Sequence, residues 1–187
     1  VVQYMVMAIW LLAHDDENKK LLGDLWAVDG LVKVAKANSN IKLKEYIVSA
    51  LWILSTKTAD GEGKNAIRVA MRGGLQYIVA MVNFDFDESG VYLTLVTLSI
   101  GILFELASQN EDIQNLIEQM SIADALLRCV SHPFSSPYLR VLAGGLIFRL
   151  TRRSDYLLNE LKEQRGRWVL EDIYSSMLCS DDAQLRV

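Results

Sequence analysis

Apolar residues along this chain recur every three or four positions, in stretches separated by short polar or glycine-containing breaks. Leu43, Tyr46, Ile47, Ala50, Leu51 and Leu54 fall at i, i+3, i+4, i+7, i+8 and i+11, the spacing that lines one side of an amphipathic helix. A strand would need alternation by two. The helical spacing returns in Leu75, Ile78, Val79 and Val82, in Ile113, Leu116, Ile117 and Met120, and in Leu139, Leu142, Leu146 and Leu150. Breaks fall at Asp15-Asp16, Asn38-Ser39-Asn40, Asp60-Gly61-Glu62-Gly63, Ser89-Gly90, Gln109-Asn110 and His132-Pro133 to Ser136-Pro137, each rich in residues that punctuate helices. Helix follows helix, and the chain reads as all-α.

One phrase closes the apolar stretches four times: Ala8-Ile9-Trp10-Leu11-Leu12-Ala13, Ala50-Leu51-Trp52-Ile53-Leu54-Ser55, Ile102-Leu103-Phe104-Glu105-Leu106-Ala107 and Leu146-Ile147-Phe148-Arg149-Leu150-Thr151. Its aromatics are 42, 52 and 44 residues apart, and periods of roughly 40–47 residues mark helical solenoids. Each unit reads as a short helix, a second short helix and a longer, more apolar third. The spacing predicts helices at 64–72, 74–82 and 91–107 in one unit. The join between the first two carries Arg72-Gly73-Gly74-Leu75, matched one unit earlier by Val28-Asp29-Gly30-Leu31; glycine there permits a sharp turn. Met120-Ser121-Ile122 and Arg165-Gly166-Arg167-Trp168 take that place later on.

The whole of 1–187 is therefore expected to be one array, with units at 1–13 (partial), 14–55, 56–108, 109–153 and 154–180 (partial). Val1 to Ala13 is apolar but has no positive residues before it and is too short to span a bilayer. It reads as the last helix of a repeat whose earlier helices are missing, so its apolar face would need a covering neighbour. With a Val start and no polar capping repeat, this points to a fragment of a longer protein.

The short helix, the Gly-Gly-Leu turn and the closing Ala-Leu-x-x-Leu-Ser helix together resemble the armadillo repeat family, over nearly the whole chain. The resemblance implies a right-handed superhelix whose third helices line a concave groove, and a scaffold that binds an extended peptide or partner domain there. The family's closing phrase usually carries an asparagine, and a ladder of these holds the ligand backbone through amide donors and acceptors. Here that place holds Leu11, Ile53, Glu105 and Arg149. One turn earlier stand Met7, Ser49, Gly101 and Gly145, so the groove tryptophan of nuclear-import adaptors is missing too. A receptor for nuclear-localisation signals is not expected. Trp10 and Trp52 occupy a neighbouring position expected to face the core.

Third-helix spacing nominates Glu45, Ser49, Ile53, Thr97, Gly101, Glu105, Gly145, Arg149 and Arg152 as contacts for a protein or peptide partner. Their surface would run from apolar through acidic to basic, suiting a helix or folded domain of mixed charge; alternatively, Glu105 and Arg149 merely pair with each other. Gly101 and Gly144-Gly145 interrupt strong helices at about 1 kcal/mol each against alanine. Close helix packing is the preferred reading, room for a ligand backbone the other.

Charge and chemistry narrow the function classes. A net charge of −4 gives no overall basic field for nucleic acid or anionic lipid. The local basic group Arg149, Arg152, Arg153, Lys162, Arg165 and Arg167 is broken by Asp155, Glu160 and Glu163. Cys129 and Cys179 suggest no disulfide framework, which with the lack of a glycosylation acceptor points to an intracellular, cytoplasmic setting. Asp85-Phe86-Asp87-Glu88-Ser89-Gly90 imitates the start of a calcium loop, but Val96 stands where the bidentate Glu is needed. Gly61-Glu62-Gly63-Lys64 lacks the strand and the Ser/Thr of a phosphate loop. Cys129 and His132 have no third group to make a nucleophile site, so no catalytic residue, cofactor, metal or small-molecule substrate is expected. The favoured reading is a non-catalytic scaffold. A structural segment positioning other domains of a larger armadillo-containing chaperone or cytoskeletal regulator comes second, and an enzyme a remote third.

Overall fold

The computed structural model describes residues 1–59, 63–152, 154–163 and 171, and among these every extended regular element is a helix. In chain order they are α1 (Val2–Leu12), α2 (Asp16–Asp24), α3 (Ala27–Ala37), α4 (Ile41–Ser55), α5 (Lys64–Met71), α6 (Gly74–Val82), α7 (Leu93–Gln109), α8 (Glu111–Glu118), α9 (Ala123–Ser131), α10 (Pro137–Thr151) and α11 (Asp155–Leu161). The expected all-α class holds. The turn at Asp60-Gly61-Glu62, Arg153, the Arg165–Trp168 join, Cys179 and most of the expected unit 154–180 lie outside the described residues.

The polar breaks act as helix starts. Asn40 accepts from the Leu43 amide at 3.0 Å, Asn110 from Asp112 and Ile113, Ser136 from Leu139, and Asp15 from Asn18. Each satisfies amide donors that a first helical turn leaves without partners. Pro137 adds a preset φ at the head of α10, where its missing N–H costs nothing.

The α5–α6 join behaves as its glycines demand. Gly73 has φ +80°, and a Cβ on Gly74 would lie 2.6 Å from the Val69 carbonyl oxygen. The matched join does not use Gly30. The left-handed residue before α3 is Trp26, at φ 63°, while Gly30 lies inside α3 and its amide donates to the Trp26 carbonyl. The structural register differs from the glycine match: Trp26-Ala27-Val28 corresponds to Gly73-Gly74-Leu75. Trp26 is 61% exposed, so its bulk meets no packed wall, and the Arg72 guanidinium stacks over its ring at 5.0 Å. Gly30 is exposed and a Cβ there would meet nothing within 4 Å. Gly30→Ala should stabilise the fold by about 1 kcal/mol, read from the denaturation midpoint; a loss would return Gly30 to the turn.

The long helices lie in a row, α4 packing on α1 and α7, and α7 on α10. Beside it α2 packs against α5 and α3 against α6. The core follows the row: Ile47, Leu51 and Leu54 of α4, Ile100, Leu103 and Leu106 of α7, and Leu146 and Leu150 of α10 are fully buried, each stabilising by about 1.5–3 kcal/mol relative to exposure. In α8 only Ile113 and Ile117 of the expected stripe are buried, while Leu116 is exposed, because this short helix buries only its i, i+4 ridge. Several hydrogen bonds bridge similar sequence separations. Asp16 to Ala59 spans 43 residues, Asn65 to Lys19 46, Arg68 to Asp24 44, and Arg128 to Asp85 and Val82 43 and 46.

Candidate functional site

The nominated residues sit on the row of long helices: Glu45, Ser49 and Ile53 on α4, Thr97, Gly101 and Glu105 on α7, Gly145 and Arg149 on α10, and Arg152 at its C-terminal end. Spacing of i, i+4 puts each helix's residues on one side of that helix. Ser49, Ile53, Thr97, Glu105, Gly145 and Arg149 are half-buried and Arg152 is exposed, whereas Glu45 and Gly101 are buried. The Glu45 carboxylate is 2.6 Å from the Lys42 ammonium, and that hydrogen bond is the main cause raising the Lys42 pKa. Thr97 donates its hydroxyl proton to the Leu93 carbonyl at 2.7 Å, back into its own helix.

The recurring aromatics explain the glycines. A Cβ on Gly101 would come within 2.3 Å of Trp52 Cη2, and one on Gly145 within 3.0 Å of Phe104 Cε2. The closing aromatic of one long helix fills the notch that glycine leaves on the next. At Gly101 the indole takes the space that a ligand backbone would need. Trp10, Trp52, Phe104 and Phe148 are half-buried, and the Arg149 guanidinium lies 5.2 Å from the Phe104 ring centre and Arg152 5.8 Å from that of Phe148. Such stacking orients a guanidinium while leaving its edge able to bond.

Glu105, Arg149 and Arg152 form one interacting charge group. Burial, the largest influence, lowers the Arg149 pKa, the Glu105 carboxylate raises it and the Arg152 cation lowers it. Glu105 Oε1 accepts from Gln109 Nε2 at 2.7 Å, and the same nitrogen donates to the Ser55 carbonyl at 3.0 Å. The carboxylate is thereby held beside the joint between α7 and the end of α4. An arginine stays protonated throughout the biological range, so Arg149 and Arg152 present fixed positive charge beside the Glu105 side chain.

Elsewhere the candidate chemistry resolves into structural roles. Asp85 pairs with Arg128 of α9 at 2.8 Å. Asp87 accepts from the Ser89 hydroxyl and from its amide, which hold its carboxyl below the ordinary range. Burial pushes the Cys129 thiol up to about 12, so at neutral pH it is a protonated core group without the thiolate a nucleophile needs. The His132 ring packs edge-on against Phe86 at 4.8 Å.

A cavity of about 230 Å³ opens between α2, the end of α4 and α5, lined in part by Lys19, Lys20, Lys64 and Arg68. Residue spacing did not single it out. Its one legible signal is that Lys19 and Lys64 stand about one period apart. Among the described residues no group of three or more His, Cys, Asp or Glu side chains could hold a metal ion, and no helix is long and apolar enough to cross a membrane. Against family models, curated proteins and solved structures, the chain finds no match.

Proposed function

We propose that this chain is a non-catalytic scaffold, an armadillo-like right-handed solenoid that holds a protein or peptide partner along its concave third-helix surface, in the cytoplasm. The observation carrying this reading is the row α1–α4–α7–α10, in which one long helix after another carries i, i+4 side chains on the same row. The bridging bonds at 43–46 residues support a stacked three-helix unit, since equivalent positions of neighbouring units meet at one period. The closing aromatic seated on the next helix's glycine supports it further. Arg149 and Arg152, oriented by Phe104 and Phe148, suit a carboxylate of the partner, Glu105 a basic group and Ile53 an apolar side chain.

The second reading, a segment that positions other domains, draws on a different observation: Glu45, Thr97 and Glu105 already bond within the chain. Charge reversal separates the two. Glu105→Arg and Arg149→Glu should each lower capture of the partner at least tenfold with the circular-dichroism spectrum unchanged. Capture equal to wild type would favour the positioning segment.

A further inference from the structure

The cavity between α2 and α5 concentrates positive charge on a chain whose net charge is −4. Four cations line it, Lys19, Lys20, Lys64 and Arg68, with Lys19 paired to Asp16 and Arg68 to Asp24. The frame is preset by hydrogen bonds. The Lys19 side chain is only 7% exposed, and its ammonium pairs with Asp16 at 3.2 Å and donates to the Thr56 hydroxyl at 3.0 Å. Asn65 is buried as well: its amide nitrogen donates to the Lys19 carbonyl at 3.0 Å and its oxygen accepts from Arg68 Nη1 at 2.9 Å. Arg68 Nη2 bonds Asp24 at 2.6 Å, so the guanidinium is fixed on the cavity wall from two sides.

We propose that this cavity is an anion site for a phosphate monoester dianion, carried either by a phosphorylated side chain of a protein or by free phosphate. Donor number favours a phosphate monoester over a carboxylate, because three terminal oxygens take bonds from a guanidinium and more than one ammonium at once where a carboxylate offers two. Size agrees. At about 230 Å³ the cavity is larger than the five heavy atoms of a phosphate group and leaves room for an attached carbon. Lys20 and Lys64 are long, flexible point charges that exchange partners for a bound anion, while Arg68 supplies directed donors. Side chains from α2, α5 and the loop after α4 make the site. It lies apart from the third-helix surface and does not depend on that reading.

The test is an amide NMR titration of the whole chain with inorganic phosphate, with a phosphoserine peptide and with its unphosphorylated twin, at ionic strength held constant with chloride. Saturable shifts of the Thr58, Lys64 and Asn65 amides are expected from the phosphate-bearing probes and not from the twin. Tighter saturation by the phosphopeptide assigns the site to a modified side chain; equal or tighter saturation by inorganic phosphate assigns it to free phosphate. Lys20→Gln and Lys64→Gln, which leave buried Lys19 in place, should each weaken binding about tenfold with the remaining amide spectrum unmoved. No saturable shift from either phosphate probe, or wild-type affinity in both variants, overturns the proposal.

Discussion

Gly101→Ala should destabilise the fold by about 2–3 kcal/mol, the cost of forcing a methyl group into the notch that holds Trp52. The added Cβ would stand 2.3 Å from Trp52 Cη2, 2.7 Å from Cζ3 and 2.9 Å from Cζ2. A rigid indole between α4 and α7 has little scope to withdraw without opening that helix contact. Helix propensity pulls the other way by about 1 kcal/mol, so a clear loss identifies the clash as the stronger effect. Trp52→Ala removes the clashing ring and costs about 2–4 kcal/mol itself, below the range for a fully buried Trp because this one is half-buried. In that background Gly101→Ala should be neutral or stabilising, giving a coupling of about 2 kcal/mol or more in a double-mutant cycle of denaturant midpoints. Equal cost in both backgrounds would show that Trp52 does not occupy the notch.

Gly74→Ala should cost about 3 kcal/mol, more than the same change at its neighbour. Its Cβ would meet the Val69 carbonyl oxygen at 2.6 Å and Val69 Cγ1 at 3.1 Å, and a backbone oxygen cannot turn aside as a side chain can. Relief would require moving the end of α5 against α6. Gly73 is held by its left-handed φ, and there alanine costs about 1–2 kcal/mol through backbone sterics alone. Thermal or denaturant unfolding of the two variants should therefore rank Gly74→Ala below Gly73→Ala. The reverse order would mean that torsion, not close approach, governs the join.

Much of the helical layout was legible because the residues that make helices also announce their ends. The expected 64–72, 74–82 and 91–107 became Lys64–Met71, Gly74–Val82 and Leu93–Gln109, each within two residues at either end. Asn40, Asn110 and Ser136, which break the apolar pattern, are the caps. The join before α3 is not legible because a left-handed tryptophan is rare, and glycine, the residue that ordinarily marks such a turn, stands four positions later. On the candidate surface, i, i+4 spacing grouped the residues on each helix but could not give the distance between helices. That distance buries Gly101 under Trp52 and leaves Arg152 exposed. The basic cavity was hidden for the same reason, since it exists only where α2 and α5 lie side by side.

The most direct test of the proposed function is site-specific photo-crosslinking. A photoreactive residue at Ile53, Thr97 or Arg152 reports on the long-helix row, and one at the exposed Ile67 or Met71 of α5 reports on another face. Partner adducts from the first three positions, with little or none from α5, are the predicted result. Adducts from Ile67 and Met71 with none from the long-helix row would contradict binding through the third-helix surface.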